Sequence, residues 1–298
     1  MFSLQFRYLS FFFGLISILS FLNIIYSYYL NLYLNLNTYY FSLLSSLFIS
    51  ILFFKIKIYE KKLSIFDKIF TVLLGYILLP LILSIPFYFS IYNLTFLNSF
   101  FESISGFTST GFSIFDNIKH IDQSLIIWRS STQWLGGLYF LISIILLIDI
   151  FDKNLKKSLT NFINFNSNET IKQCFKISIV YLILTIIIFA VLYLSDLRAF
   201  NSFNLSLTLI SSGGFLPVNN LDTIINTKFK EIILSIMMLV SFFSLFFSYN
   251  LVFFHKRNIN FFSEDLYLGF YLIFLVSFFF LFLNIDDNFS SLLLAICS

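Results

Sequence analysis

The sequence predicts an all-α polytopic membrane protein made of repeated units of helix, re-entrant pore loop and helix. Three observations support this class. Hydrophobic residues fill 59% of the 298 positions and charged residues only 11%, whereas a soluble domain carries about 25% charged residues. Several apolar stretches reach the roughly 20 residues that a membrane-crossing helix needs. Two shorter apolar stretches end in small hydroxyl residues and glycine, and each lies between two longer stretches.

Seven stretches are long enough to cross a membrane: 8–30, 38–56, 66–90, 124–150, 174–196, 229–254 and 266–284. The first one lacks a small-residue cleavage site, so we interpret it as a membrane helix and not as a removed signal peptide. Pro80 and Pro86 are expected to kink the third helix. Segments of 10 to 14 apolar residues are more often re-entrant than spanning, and 95–107 and 199–211 have that length.

Basic residues predict the orientation of the chain. Most of the 18 lysines and arginines fall near the N-terminus, between the second and third crossing helices, between the fourth and fifth, or after the sixth. The positive-inside rule therefore places the N-terminus and these loops in the cytoplasm. Both short segments then enter the membrane from outside. We expect a multi-pass protein of the cytoplasmic (inner) membrane of a bacterium, surrounded by membrane lipid.

The two short segments define an internal repeat. The first ends in Ser109-Thr110-Gly111 and the second in Ser211-Ser212-Gly213, so Gly111 and Gly213 are expected at matching places. We predict four regions: two extra N-terminal helices (1–62), a first helix–pore-loop–helix repeat (63–157), a second (158–258), and the start of a third (259–298) that stops within its pore helix.

The residues at the ends of these segments suit a dehydrated cation. A narrow pore admits potassium only where oxygen dipoles replace the hydration shell of the ion. Glycine permits the backbone angles that aim carbonyl oxygens inward, and the C-terminal end of a short helix carries about half a negative charge. Neither segment carries a carboxylate in its Ser/Thr-Gly part. Ion conduction is therefore the leading hypothesis.

Three stretches resemble the Trk/Ktr/HKT superfamily of potassium transporters, in its TrkH branch. They are 100–111 (FFESISGFTSTG), 128–137 (WRSSTQWLGG) and 210–215 (ISSGGF). The resemblance implies four units of potassium-channel type around one pore, of which this sequence holds two and the start of a third. It implies K⁺ as the transported ion, with no other cofactor, and a filter formed by the backbone of Ser109, Thr110, Gly111, Ser211, Ser212 and Gly213. It also implies a homodimer and a cytoplasmic nucleotide-binding regulatory subunit.

Four further residues are expected to support the pore. Glu102 lies on the first pore helix, and an ionisable group at membrane depth is a functional hypothesis by default. We expect Glu102 to brace the pore helix. Arg129 would form an ion pair with Glu102 or bind loop carbonyls, although a cation snorkelling to the interface is the alternative. Thr108 and Gln133 would support the loops.

Two other functions stay open at this point. The chain could be a non-conducting fragment or a half-subunit that needs a partner, with the remaining units most simply encoded downstream in the same gene. An intramembrane lipid-modifying enzyme is less favoured, because the sequence shows no convergent His/Asp or Ser–His arrangement. We therefore expect no enzyme activity. A net charge of +3 gives no reason to expect nucleic acid as a partner.

Overall fold

The structure is a computed structural model that describes residues 3–56, 65–151, 167–242, 270, 271 and 274. Within these residues it contains helices and no strands. The helices are α1 (Ser3–Tyr29), α2 (Leu36–Lys55), α3 (Ile65–Leu83), α4 (Ile85–Tyr88), α5 (Phe96–Phe107), α6 (Gln123–Phe151), α7 (Ser167–Leu194), α8 (Ala199–Ile210) and α9 (Lys228–Phe242), with 3₁₀ turns at Ile118–His120 and Leu221–Thr223. The predicted all-α polytopic class is confirmed.

Four helical segments are long and apolar enough to cross a membrane: Phe6–Tyr29, Leu36–Lys55, Phe66–Tyr88 and Cys174–Leu194. They match the first, second, third and fifth predicted spans. The fourth predicted span corresponds to α6, which has 29 residues. The sixth span begins as α9, but residues beyond 242 lie outside the described part. So do nearly all of 266–284 and the expected start of a third pore loop at 288–298.

The third span is broken near its prolines, as the sequence predicted. α3 ends at Leu83, and α4 begins at Ile85 with Pro86 in its first turn. A proline there loses no helical hydrogen bond, because the first N–H groups of a helix have no partner within it. The indole Nε1 of Trp128 donates a 3.0 Å hydrogen bond to the Leu83 carbonyl at the break. A side chain of α6 therefore supplies a hydrogen-bond donor for the Leu83 carbonyl at the break.

The helices α5 and α8 are both too short to cross a membrane. Each has 12 residues, which gives a length of about 18 Å at 1.5 Å per residue, too short for a 30 Å hydrocarbon core. Thr95 caps α5 by accepting a hydrogen bond from the Asn98 N–H at 3.3 Å. Both helices match the predicted re-entrant segments, and we call them the first and second pore helix.

The long helix α6 lies between the two pore helices and also contacts α1, α3 and α7. Buried polar contacts fix it to the N-terminal hairpin of α1 and α2. Asn23 donates to the Ser124 carbonyl at 3.0 Å, and Tyr39 donates to the Ser124 hydroxyl at the same distance. Because such groups are costly to bury unpaired, these bonds define how the hairpin docks. The hairpin thus holds α6 in place behind the pore loops.

Candidate functional site: two pore loops on one helix

The two pore loops repeat the same backbone at a spacing of 103 residues. α5 ends at Phe107 and α8 at Ile210. The residues two positions further on, Ser109 and Ser212, both have a left-handed backbone, with φ of 56° and 52°. The N–H groups of Thr110 and Gly213 return to carbonyls inside their pore helices, at 2.9 and 2.8 Å. This spacing defines the first loop as residues 108–115 and the second as 211–218.

The sequence-based pairing of Gly111 with Gly213 is therefore wrong by one residue. At a spacing of 103, Gly111 corresponds to Gly214, and Gly213 corresponds to Thr110. The reason is that the hydrogen bonds closing each pore helix set the register, whereas the sequence pairing matched the first glycine of each motif. The triplet equivalent to Ser109-Thr110-Gly111 is Ser212-Gly213-Gly214.

The two loops touch at this glycine pair. A Cβ atom built on Gly111 would lie 2.6 Å from the Gly214 Cα and 2.9 Å from its nitrogen. Gly111 also has φ of 82°, a region that L side chains rarely adopt. Both the backbone angle and the close approach thus require glycine at position 111.

The loop carbonyls remain available. Ser109, Thr110 and Gly213 use their N–H groups within their own pore helices. Within the described ranges, no donor bonds to the carbonyl oxygen of any predicted filter residue: Ser109, Thr110, Gly111, Ser211, Ser212 and Gly213. Since backbone carbonyls withdrawn from water need a partner, these oxygens can accept a cation or water. Both pore helices also end here, which adds partial negative charge.

A buried ion pair lies behind the first loop. The Arg129 Nε donates to the Glu102 Oε1 at 2.8 Å, and both side chains are almost fully buried. Glu102 also accepts from the Ser113 hydroxyl at 3.0 Å and from the Ile114 N–H at 2.9 Å. The Arg129 Nη2 donates to the Ser113 Oγ at 2.9 Å. The expected ion pair is present, and it ties α5, α6 and the end of the first loop together.

Arg129 also reaches the second loop. Its guanidinium carbon lies 4.3 Å from the centroid of the Phe215 ring, a cation–π geometry. The Phe215 ring is 1% exposed and lies under the first pore helix, where a Cβ on Gly106 would be 3.0 Å from the ring. The second loop therefore inserts an aromatic side chain into the first repeat.

Gln133 holds the same phenylalanine by its backbone. The Gln133 Oε1 accepts a hydrogen bond from the Phe215 N–H at 3.2 Å. A Cβ on Gly213 would lie 2.5 Å from the Gln133 side-chain carbon, so the loop passes directly over this amide. Arg129 and Gln133 are four residues apart and share one helix face. Phe215 is thus fixed by two contacts with α6: its ring packs against Arg129 and its N–H donates to Gln133.

Two adjacent glycines of α6 let both pore helices pack closely against α6. A Cβ on Gly136 would overlap the Phe107 carbonyl at the end of the first pore helix. A Cβ on Gly137 would lie 2.7 Å from the Ser211 Cβ at the end of the second. Small residues permit such close helix contacts. Gly136 therefore permits the contact of α6 with the first pore helix, and Gly137 permits its contact with the second.

Thr108 closes the first pore helix. Its hydroxyl donates to the Ile104 carbonyl at 2.8 Å and lies 2.7 Å from the Thr110 hydroxyl. Thr108 is thus the first residue of the loop, and its hydroxyl links the last turn of the pore helix to Thr110. At the outer ends of the two loops, Asn219 donates to the Asn117 Oδ1 at 2.8 Å and accepts from the Ile118 N–H at 2.7 Å.

Sequence reasoning missed Phe215, Ser113, Gly214 and the asparagine contact. One signal was available in the sequence. Gly111-Phe112 and Gly214-Phe215 repeat at a spacing of 103. Carboxylate or histidine clusters do not compete for a cation, since the described residues contain no group of three or more metal-ligating side chains.

Fold and site together define a helical multi-pass membrane protein with two re-entrant loops seated on one helix. No family model matches the chain. An uncharacterized cation transporter of Methanocaldococcus jannaschii is 29% identical over 221 residues, covering 70% of this chain and 44% of that protein. The Trk system potassium uptake protein TrkH of Salmonella typhimurium is 26% identical over 142 residues, covering 44% of this chain and 29% of that protein.

A solved structure shares the fold. The potassium transporter TrkH from Vibrio parahaemolyticus matches with a TM-score of 0.79 at 19% identity, covering all of this chain and 64% of that one. The chain thus spans less than two thirds of the length of each protein named here. The resemblance to the Trk/Ktr/HKT superfamily, in its TrkH branch, is confirmed.

Proposed function

We propose that this chain contributes part of the pathway for potassium uptake across the cytoplasmic membrane. One observation carries the proposal: two loops that leave their pore helices through the same left-handed turn meet at Gly111 and Gly214, with carbonyl oxygens that no described donor uses. Oxygens arranged along a narrow path are what a dehydrated potassium ion requires. The ion would move down its electrochemical gradient, where 100 mV contributes about 2.3 kcal/mol per charge.

The first set of ion ligands comprises the backbone oxygens of Ser109, Thr110 and Gly111. The second comprises those of Ser211, Ser212 and Gly213, extended to Gly214 by the register of the structure. Glu102, Arg129, Gln133 and Thr108 position these loops and do not touch the ion. The names of similar proteins, a cation transporter, a potassium uptake protein and a potassium transporter, support this proposal.

The proposed setting follows from the same resemblance. The four regions 1–62, 63–157, 158–258 and 259–298 act as hairpin, first repeat, second repeat and start of a third. The N-terminus faces the cytoplasm, by the distribution of basic residues. The assembled transporter is a homodimer that binds a cytoplasmic nucleotide-binding regulatory subunit.

The test is uptake by the gene product that contains this chain. It is expressed in a bacterium lacking its own potassium uptake systems, and then reconstituted in liposomes for K⁺ and Na⁺ flux. We expect K⁺ flux with little Na⁺ flux, and a loss of K⁺ flux in Gly111→Ser, whose Cβ would meet the Gly214 backbone. Gly14→Ala is the control, because a Cβ there meets only the Ser50 hydroxyl at 3.5 Å. A correctly inserted wild-type protein without K⁺ flux contradicts the proposal.

A further inference from the structure

One face of α2 carries an apolar groove in the half of the helix that ends at Lys55. The groove has a volume of about 600 Å³, within the roughly 300–1,000 Å³ of small-molecule sites. We call it the α2 groove; five apolar side chains line it, and Lys55 lies at its end: Leu44, Leu47, Phe48, Ile51 and Leu52. These five are between 42% and 63% exposed.

The helix that carries the groove is also the least covered of the candidate spans. Only 22% of the most apolar window of α2 is buried, against 33% to 50% in the other three spans. In the part of the chain that the structure describes, α2 packs mainly on α1. Its opposite face, with the groove, is therefore open to whatever lies beside the protein in the membrane.

The length of the α2 groove matches one leaflet of a bilayer. Leu44 and Lys55 are 11 residues apart, which corresponds to about 16 Å along a helix at 1.5 Å per residue. Half of a 30 Å hydrocarbon core is about 15 Å. The groove thus begins near the middle of the membrane and reaches its surface at Lys55.

An aromatic pair closes the groove at its inner end. The rings of Phe41 and Phe89 stack with centroids 5.6 Å apart and planes at 29°. Phe41 precedes Phe48 by seven residues, two helical turns, so both lie on the same face of α2. Phe89, at the end of α4, therefore covers this face in the outer half of the helix and leaves it open in the other half.

Cationic side chains gather at the open end. Lys55 lies in the last turn of α2 and is exposed, and the Arg7 guanidinium carbon lies 5.3 Å from the centroid of the neighbouring Phe54 ring. Neither cation forms an ion pair within the described ranges. Three more lysines and one glutamate follow in the sequence up to residue 62: Lys57, Lys61, Lys62 and Glu60. Basic clusters directly beside a membrane helix attract anionic lipids.

These limits favour a lipid over a protein helix as the occupant. A membrane-crossing helix would pack along the whole face of α2, where it would meet Phe89. One acyl chain needs only the half between Phe41 and Lys55. A lysine lays its aliphatic stem along apolar surface and keeps its charge at the membrane surface, which is where a lipid carries its phosphate. Length and charge thus agree on the same ligand.

We propose that the α2 groove binds a phospholipid with a net negative headgroup. One acyl chain lies along Leu44, Phe48 and Leu52, and the phosphate group lies at Lys55. Arg7 and the lysines that follow α2 add electrostatic attraction. By the proposed orientation of the chain, the lipid belongs to the inner leaflet. The site is separate from the pore loops and does not rest on ion conduction.

Photo-cross-linking identifies the occupant. p-Benzoylphenylalanine replaces Phe48, and in a separate variant Leu52, in the gene product that contains this chain. The protein is placed in nanodiscs of phosphatidylglycerol and phosphatidylcholine in equal amounts and with the same acyl chains. After irradiation, mass spectrometry identifies each adduct by its headgroup. The control position is Phe175 of α7, which is 58% exposed and outside the groove.

The charge at the end of the groove is tested in the same experiment. Lys55→Gln removes it, and Lys176→Gln is the matched control, because Lys176 is an exposed lysine next to Phe175 on another span. We expect phosphatidylglycerol to dominate the adducts at Phe48 and Leu52 and to be less enriched at Phe175. Lys55→Gln should lower that enrichment about fivefold, which corresponds to about 1 kcal/mol for one basic residue. Lys176→Gln should leave it unchanged.

Three results would overturn the proposal. They are equal amounts of the two lipids at both groove positions, an enrichment that Lys55→Gln does not reduce, and peptide adducts, which would show that a protein surface covers the groove. Because two positions carry the photoreactive group, misfolding of one variant does not decide the outcome. Ion flux is not measured, so failure of the transport proposal would leave this test intact.

Discussion

Gly111 and Gly214 lie in contact across the two pore loops, where a Cβ on Gly111 would come within 2.6 Å of the Gly214 Cα. They are equivalent positions of the repeat, since each is the third residue after the C-cap of its pore helix. The path between the loops is therefore bounded by backbone on both sides, without a side chain in between.

Replacing the first of these glycines by alanine should abolish the function of the loops. Gly111→Ala meets both a left-handed backbone and the Gly214 backbone, and a strained backbone costs about 1–3 kcal/mol by itself. We expect a loss of K⁺ uptake of at least about tenfold, as 1.4 kcal/mol corresponds to a factor of ten. Cation flux in liposomes measures it.

The matched variant is Gly214→Ala. Its Cβ would lie 3.3 Å from the Gly111 Cα, and its backbone is not among those with positive φ. We expect a clearly smaller loss of flux than for Gly111→Ala. Equal losses in the two variants would contradict the greater demand for glycine at position 111, which rests on its tighter contact and on its backbone angle.

The Glu102–Arg129 pair should behave as one unit. Breaking a buried ion pair from one side costs about 3–5 kcal/mol, because the other charge stays buried without its partner. We expect Glu102→Gln and Arg129→Gln each to lower the unfolding temperature in detergent strongly. The double variant should be destabilised by much less than the sum of the two.

Arg129→Lys is the more discriminating substitution for this pair. Lysine keeps the charge but cannot bind Glu102 through Nε and Ser113 through Nη2 while it stacks on Phe215. We expect Arg129→Lys to lower the unfolding temperature less than Arg129→Gln does, and to alter ion selectivity. Wild-type stability and selectivity in Arg129→Lys would mean that charge alone matters at this position.

Gln133 and Gly213 should be coupled. Gly213→Ala places a methyl group against the Gln133 amide, whereas Gln133→Ala removes that amide and leaves the Phe215 N–H without its acceptor. An unsatisfied buried donor costs about 1–3 kcal/mol. We expect Gly213→Ala to be more harmful in the wild-type background than in Gln133→Ala. Additive changes in thermal stability would contradict the close contact.

Alanine substitutions of Gly136 in α6 and of Gly14 in α1 should have opposite effects on folding and stability. Gly136→Ala would force a methyl group into the Phe107 carbonyl, a backbone atom that cannot move aside without shifting the first pore helix. Gly14→Ala meets only ordinary contact, and alanine favours a helix by about 1 kcal/mol over glycine. We expect poor folding yield for the first and equal or higher stability for the second. Size-exclusion profiles and melting curves in detergent compare them.

Much of the fold could be predicted from local sequence. The length of an apolar run decides whether a helix crosses the membrane, so the bounds of α1, α2 and α7 lie close to their predicted spans. The prolines predicted the irregularity in the third span, because the proline ring restricts the backbone at its own position and at the residue before it. The Glu102–Arg129 pair was one of two roles expected for Arg129, the other being hydrogen bonds to loop carbonyls, and the structure contains the pair.

The register of the repeat and the role of Phe215 were not accessible in the same way. Gly213 and Gly214 are adjacent identical residues, and only the hydrogen bonds that close the second pore helix decide which one faces Gly111. The sequence does not distinguish Phe215 from the rest of the 45 phenylalanines. Its role becomes visible only in the structure, where its ring packs against Arg129. Composition gives no means to separate an anchoring aromatic side chain from a lipid-facing one.

The sequence by itself determined the class of the protein, the place of the long helices and of the two short ones, and the two loops where glycine and hydroxyl residues gather. These depend on the apolar length and on local backbone chemistry. Only the tertiary structure decided that both loops rest on α6, that they meet at Gly111 and Gly214, and that Phe112 is exposed while Phe215 is buried. The physical reason is that such contacts join residues about 100 positions apart, and no local preference specifies which surfaces of two similar repeats will meet.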